Sequence, residues 1–266
     1  MTPSGLIKVT TKDGIRVIQL ARPAKRNALS TPLLSELIEV AEDTRRSAAQ
    51  VRVVVITGTE GHFCAGADIG EFNDWDPDSL SRYIELGSEA FARLADLPQP
   101  VIAAIEGVAL GGGLELALAC DLRIADDSAV LGFPEVTIGG VPGWGGTVRL
   151  QEAIGRAWAT RLILTGARIG AAQAAQLGLV DEHATGAGAM EAAIELATLL
   201  ATRSPTALRL ATRAVRRGSP YSVASQAELE LYANLVCMIS PERHAAVEQF
   251  LGHRSSASTP SNKSPM

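Results

Sequence analysis

The sequence predicts an α/β protein, and three observations carry that expectation. VRVVVITG (51–58) and PVIAAIEG (100–107) are continuous apolar runs rich in valine and isoleucine, as in strands buried on both faces. Each run leads into a glycine-containing turn. Residues 33–48 and 79–95 space their apolar side chains at helical period. Strand and helix therefore alternate over roughly the first 180 residues, the pattern of an α/β core.

In chain order, Leu6–Val9 and Ile15–Leu20 read as strands joined by a turn at Lys12-Asp13-Gly14. RPAKRNALS breaks the pattern, and Ser30 or Thr31 can cap a helix with Pro32 in its first turn. EGHFCAGADIGEF is a turn. The helix over 79–95 should turn Leu80, Ile84, Phe91 and Leu94 inward. GGGLELALACD opens a helix, and LRIAD and AVLGF are short strands. The last third is helical: Ser204-Pro205 caps a helix ending at Gly218, residues 222–237 form another, and Ser240-Pro241-Glu242 starts a third that runs to about Leu251. This divides the chain into a core (1–200), a helical region (201–254) and a disordered polar tail (255–266).

A chain of 266 residues, 47% hydrophobic, can bury a sizeable core. The net charge of −5 comes with no basic face, so no nucleic-acid partner is expected. Cys64, Cys120 and Cys237 have neither metal-ligand nor disulfide spacing, and no metal is expected. The N-terminus shows no secretory signal, so a cytoplasmic enzyme is expected. The apolar run Val101–Cys120 carries Glu106 and Glu115 among its glycines, which argues for a buried segment rather than a membrane span.

Chemistry concentrates in three glycine-rich turns. Gly111-Gly112-Gly113 follows a strand and opens a helix, but Leu114-Glu115 stands where a P-loop needs its lysine, and the third glycine of a dinucleotide fingerprint is missing. What remains is a bare backbone whose N–H groups can face an anion or a developing oxyanion. Taken alone, Glu115 is a first-turn carboxylate complementing the helix dipole. Cys64-Ala65-Gly66-Ala67-Asp68 is a second such turn, and GFPEVTIGGVPGWGGT (132–147) is a third that carries Glu135. Together they predict loops converging on one ligand, with two carboxylates.

At this point the sequence resembles the crotonase superfamily, the enoyl-CoA hydratase/isomerase family. The resemblance covers almost the whole chain: RPAKRNAL (22–29), FCAGADI (63–69), PVIAAIEGVALGGGLELALACDLRIA (100–125), FPEVTIGGVPGWGGT (133–147) and LTGARIGAAQAAQLGLVDE (164–182). It implies a crotonase-like spiral of ββα units with a C-terminal helical trimerisation region, and a homotrimer or a dimer of trimers. The substrate implied is an acyl-CoA thioester, with coenzyme A part of the substrate and no separate cofactor. The backbone N–H groups of Ala65 and Gly112 are expected to form the oxyanion hole, and losing one such donor costs on the order of 100-fold in rate. Ala65, Gly66, Ala67 and Asp68 are expected along the acyl-CoA, with Gly111 and Gly143 shaping the thioester and water site. Hydratases of the family carry one glutamate in the GGG-x-E stretch and one in the P-E stretch, and Glu115 and Glu135 match both. By resemblance, Glu115 holds or activates water and Glu135 exchanges a proton with C2.

The likeness weakens at AAVEQFLGHR (245–254), where Gly252-His253 replaces the family's usual Glu-Lys pair and only Arg254 remains for CoA phosphates. Lys25 is a candidate for charge near the nucleotide, against a reading as solvated surface. Trp144 occupies the variable position of the PGxGGT stretch; it either narrows the acyl pocket or packs on a neighbouring helix. The reading is an enoyl-CoA hydratase. Its rivals are an enoyl-CoA isomerase or another crotonase-type C–C lyase or hydrolase, and a non-catalytic acyl-CoA-binding protein. A serine nucleophile lacks a placed histidine.

Overall fold

The structure is a computed structural model that describes residues 5–71 and 77–217. The helices expected over 222–237 and after Ser240, the tail, and the atypical 245–254 stretch lie outside the described residues. The chain divides into two compact units between Thr202 and Arg203. The second contributes one described helix, α7 (Pro205–Arg217), whose Ser204 hydroxyl accepts the Ala207 N–H.

The first unit opens on a hairpin. β1 (Ile7–Lys12) and β2 (Ile15–Leu20) pair antiparallel across Asp13-Gly14, both at positive φ, as a two-residue turn matching strand twist requires. α1 (Thr31–Arg46) starts where Ser30 caps the Leu33 N–H. β3 (Val53–Thr57), α2 (Pro77–Ala95), β4 (Val101–Ile105), β5 (Val108–Leu110) and α3 (Gly112–Leu118) follow, then β6 (Leu122–Asp126), β7 (Val130–Gly132) and α4 (Gly146–Thr165). The unit closes with β8 (Arg168–Gly170), α5 (Ala171–Leu177), β9 (Glu182–Ala184) and α6 (Ala189–Ala201). β5 was not separable in the sequence, because three residues beside a glycine turn carry no periodicity.

Two sheets explain the winding. The larger has the order β1-β2-β3-β4-β6-β9 and is parallel beyond the hairpin; β3 and β4 are buried at every residue. The smaller has the order β5-β7-β8 and is extended by parallel bridges Cys64–Ala109 and Leu29–Ala67. Each turn of chain thus crosses the large sheet, turns back, touches the small sheet and enters a helix. β4, β5 and α3 make one such turn, and β6, β7 and α4 make the next. That repeat stacks the ends of the small-sheet segments: Ala65–Ala67, Leu110–Gly112 and Gly132–Glu135 arrive side by side.

The inward face of α2 differs from the expected one. Phe91 and Leu94 are fully buried, but Tyr83 and Ala90 are the other inward residues, while Leu80 and Ile84 are 41% exposed. Both sets fit a 3.6-residue period; which one faces the core depends on the rings waiting for it.

Candidate active site

α3 is buried along its whole length, an unusual place for a carboxylate. Gly111, at φ 53, turns the chain from β5 into the helix. Gly113 is held against the preceding turn: a Cβ there would lie 2.1 Å from the Cys64 carbonyl oxygen. Gly66, at φ 102, lets its own turn approach, since a Cβ would sit 2.7 Å from the Leu110 carbonyl oxygen and 3.4 Å from the Gly112 nitrogen.

Glu115 follows on α3, 2% exposed. Its Oε1 accepts the backbone N–H groups of Trp144, at 2.7 Å, and Gly146, at 2.8 Å. Gly146 has to be small, because a Cβ would lie 2.9 Å from both Cγ and Oε1 of Glu115. Burial pushes the Glu115 carboxyl up, and the two N–H groups partly offset that by favouring its anion. Glu135 begins the 3-10 turn after β7, and its Oε2 is buried with no hydrogen-bond partner among the described residues. Burial first, then the negative charge of Glu115, pushes Glu135 up to about 7. Burial thus raises both carboxyls, and Glu135, without the Trp144 and Gly146 N–H groups that favour the Glu115 anion, is the one pushed to about 7.

Both line one cleft of about 460 Å³. The expected residues Ala65, Gly66, Ala67, Gly111, Gly112, Gly143 and Trp144 line it too, while Ile69, Leu80, Tyr83, Ile84, Ile138 and Val141 supply an apolar wall. No histidine among the described residues lines it. Among the described residues, no group of His, Cys, Asp or Glu is arranged to hold a metal ion, and no helix is long and apolar enough to cross a membrane.

Three expectations change. The Ala65 N–H is not offered to a ligand: it donates to the Arg26 carbonyl at 3.0 Å. The Leu29 N–H donates to Gly66 and the Asp68 N–H donates to Leu29, so this side of the turn faces Leu29. Extended backbone alternates its N–H directions. The Ala67 N–H therefore points the other way, toward the cleft, and no acceptor for it is recorded among the described residues. Gly112, as the first residue of α3, likewise has no acceptor within its helix. The donor pair is thus Ala67 and Gly112.

Asp68, second, does not line the cleft. Its carboxylate takes the Arg22 guanidinium at 2.8 Å and the Gly70 N–H at 3.2 Å. Burial acts to raise its pKa, but Arg22 and the Gly70 N–H outweigh burial and hold the carboxyl below its ordinary range. Third, Lys25 is exposed at the end of a 3-10 turn (Pro23–Lys25) outside the cleft.

The sequence reading passed over two residues that place this turn. Arg22 clamps Asp68 and the Ala28 carbonyl, and Asn27, at φ 59, gives its amide to the carbonyls of Thr59 and His62. The RPAKRNAL motif was their signal. Asp68→Asn is expected to lose about 2 kcal/mol of stability at neutral pH, the scale of a charged hydrogen bond, as read by urea unfolding. Because the folded-state pKa is lowered, that contribution is present above the ordinary carboxylate pKa and disappears as pH falls through the lowered one. An unchanged unfolding midpoint at pH 7 counts against the clamp.

With the geometry in hand, comparison places these turns among known proteins. Residues 10–256 match the family profile described as enoyl-CoA hydratase/isomerase. The chain is 37% identical to the 2,3-dehydroadipyl-CoA hydratase of Escherichia coli (strain K12), over 92% of this chain and 95% of that protein. It is 35% identical to the short-chain-enoyl-CoA hydratase of Clostridium acetobutylicum, with the same coverage. Among solved structures, the enoyl-CoA hydratase from Bacillus anthracis superposes with a TM-score of 0.90 at 37% identity, covering 93% of this chain and 96% of that one.

Proposed function

Because the chain belongs to the enoyl-CoA hydratase/isomerase family, the crotonase superfamily, we propose that it adds water to a trans-2-enoyl-CoA to give the 3-hydroxyacyl-CoA. One observation carries the reading. A buried carboxyl and a half-buried one line one cleft with unequal partners: Glu115 accepts two N–H groups, and the buried Oε2 of Glu135 accepts none among the described residues. Such a pair supplies a base and an acid at once.

The thioester oxygen sits between the Ala67 and Gly112 N–H groups. Ionised Glu115 takes a proton from water as the water oxygen bonds to C3. The C2=C3 electron pair moves toward the thioester carbonyl, and the charge that develops on its oxygen is met by the two N–H groups. Protonated Glu135 then delivers its proton to C2. One water is added, and the proton on Glu115 passes to Glu135 or solvent to restore the pair. This chemistry asks for no separate cofactor, since coenzyme A arrives with the substrate.

Because hydration takes up and releases no net proton, the two directions should share one pH profile, that of the singly protonated carboxyl pair. Hydration needs Glu135 protonated, so its kcat/KM is expected to fall as pH rises through about 7, by roughly tenfold per unit at the limit. Dehydration of the 3-hydroxyacyl-CoA uses the same singly protonated pair with the proton on Glu115, so its kcat/KM should fall in parallel as pH rises. Initial rates from loss or gain of enoyl thioester absorbance measure both. A kcat/KM that does not fall as pH rises through about 7 would remove Glu135 from the proton step. Turnover of 3-enoyl-CoA faster than 2-enoyl-CoA would make the enzyme an isomerase, and tight acyl-CoA binding without turnover would make it a binding protein.

A further inference from the structure

Trp144 lines the cleft and also fills a notch behind it. On α2, Tyr83, Gly87 and Phe91 recur every four residues and share one face. Both rings meet the indole edge-on: Tyr83 with centroids 5.3 Å apart at 66°, Phe91 with centroids 5.4 Å apart at 82°. Gly87 lies between them, and a Cβ there would fall 2.2 Å from Cε2 and 2.3 Å from Nε1 of Trp144. At the opposite edge of the indole, Cζ3 would lie 2.3 Å from a Cβ at Gly112. The ring thus bridges α2 to the oxyanion glycine and has no space to retreat on either side.

Its surroundings bear on what it does there. Trp144 is 6% exposed, and its indole N–H is buried without a partner among the described residues. An unpaired buried donor costs about 1–3 kcal/mol, which phenylalanine or leucine would avoid. The ring is nevertheless next to the reacting atoms, since the Trp144 backbone N–H is bonded to Glu115. We propose that Trp144, wedged on Gly87, closes the inner end of the cleft and sets acyl-chain length, so that the protein takes short-chain acyl thioesters.

This inference rests on the cleft holding an acyl-CoA with its thioester oxygen at Gly112. From that anchor, a chain growing inward meets the indole within a few carbons. A chain growing outward runs along Leu80, Ile84, Ile138 and Val141, which are 41–74% exposed. There a methylene stays partly wetted and gains less than the ~0.8 kcal/mol of full burial. Exchanging the indole for leucine leaves free volume between Phe91 and Gly112, and Gly87 adds no side chain to refill it.

The test uses binding of saturated acyl-CoAs, which does not depend on hydration. By calorimetry, the full-length protein should bind butyryl-CoA at least as tightly as decanoyl-CoA. In Trp144→Leu the ratio of the two affinities should move toward decanoyl-CoA by at least ~10-fold, the scale of two newly buried methylenes. Trp144→Phe should move it partway and stands in if the leucine variant does not fold. Gly87→Ala should push the ring into the cleft and weaken butyryl-CoA binding, and this effect should vanish in the Trp144→Leu background. An unshifted ratio in both Trp144 variants, or a Gly87→Ala effect that persists without the indole, overturns the proposal. Failure to hydrate any enoyl-CoA, with these binding results intact, refutes the proposed reaction and leaves chain-length selection standing.

Discussion

Glu135→Gln should lower hydration by about 100-fold to 10,000-fold, with acyl-CoA affinity little changed. The amide has the same shape as the carboxyl but no proton to give C2. Its neutrality also removes the cost of keeping a carboxylate beside Glu115, so the fold should not suffer. Burial and Glu115 raise the Glu135 pKa, so the folded protein binds more protons than the unfolded one between the ordinary carboxylate range and about 7. Glu135 thus contributes stability in acid and loses it as pH rises through that window. Glu135→Gln is therefore expected to be inactive and, above pH 7, at least as stable as the parent.

Glu115→Gln should fall in the same range of activity for a different reason. The glutamine oxygen can still accept the Trp144 and Gly146 N–H groups, so the local structure holds while the base for water is lost. Enoyl thioester absorbance gives the rates and thermal unfolding gives the stability. Full activity in either variant sinks the assignment of these carboxyls, and loss of folding in either sinks the claim that the loss is chemical.

Gly112→Ala should be nearly as damaging, although it leaves every titratable group in place. The new Cβ would lie 2.3 Å from Cζ3 and 2.8 Å from Cε3 of Trp144, and 3.3 Å from a Leu29 methyl. Contacts under 3 Å cannot persist, so either the indole or the start of α3 must move. The indole is held by Gly87, Tyr83 and Phe91. The shift therefore falls on the Gly112 N–H, and a misplaced oxyanion donor costs about 100-fold to 1,000-fold in kcat. Overpacking adds ~1–3 kcal/mol of destabilisation. Gly170→Ala is the control, since its Cβ meets only the Ala129 carbonyl oxygen at 3.9 Å. Unchanged kcat in Gly112→Ala would mean that the thioester oxygen sits elsewhere.

How much of this site was legible depended on the range of the signal. The buried runs of β3 and β4 and the Ser30 cap are local patterns, and they appear where expected. Glu115 and Glu135 stood out because carboxylates are rare inside apolar, glycine-rich stretches, and the structure brings them to one cleft. The turn at 64–68 was legible as a turn, but not which of its N–H groups was free. That followed from the Leu29–Ala67 bridge, a pairing 38 residues apart in sequence that no local pattern encodes. Asp68 looked equally available to a ligand until Arg22, 46 residues earlier, was found holding it.

Residue types and spacing along the chain were thus enough for the buried strands, the first helix cap and the glycine turns, because hydrophobic period and capping act over a few residues, and the family resemblance singled out the two carboxyls. The direction of a backbone N–H, the protonation of each glutamate and the seat of Trp144 were decided only by tertiary structure. Each depends on what distant segments place opposite it: Leu29 against Ala67, the Trp144 and Gly146 N–H groups against Glu115, and Gly87 against the indole. Hydrogen bonds, desolvation and steric exclusion act through space, so such partners take shape only when the chain folds.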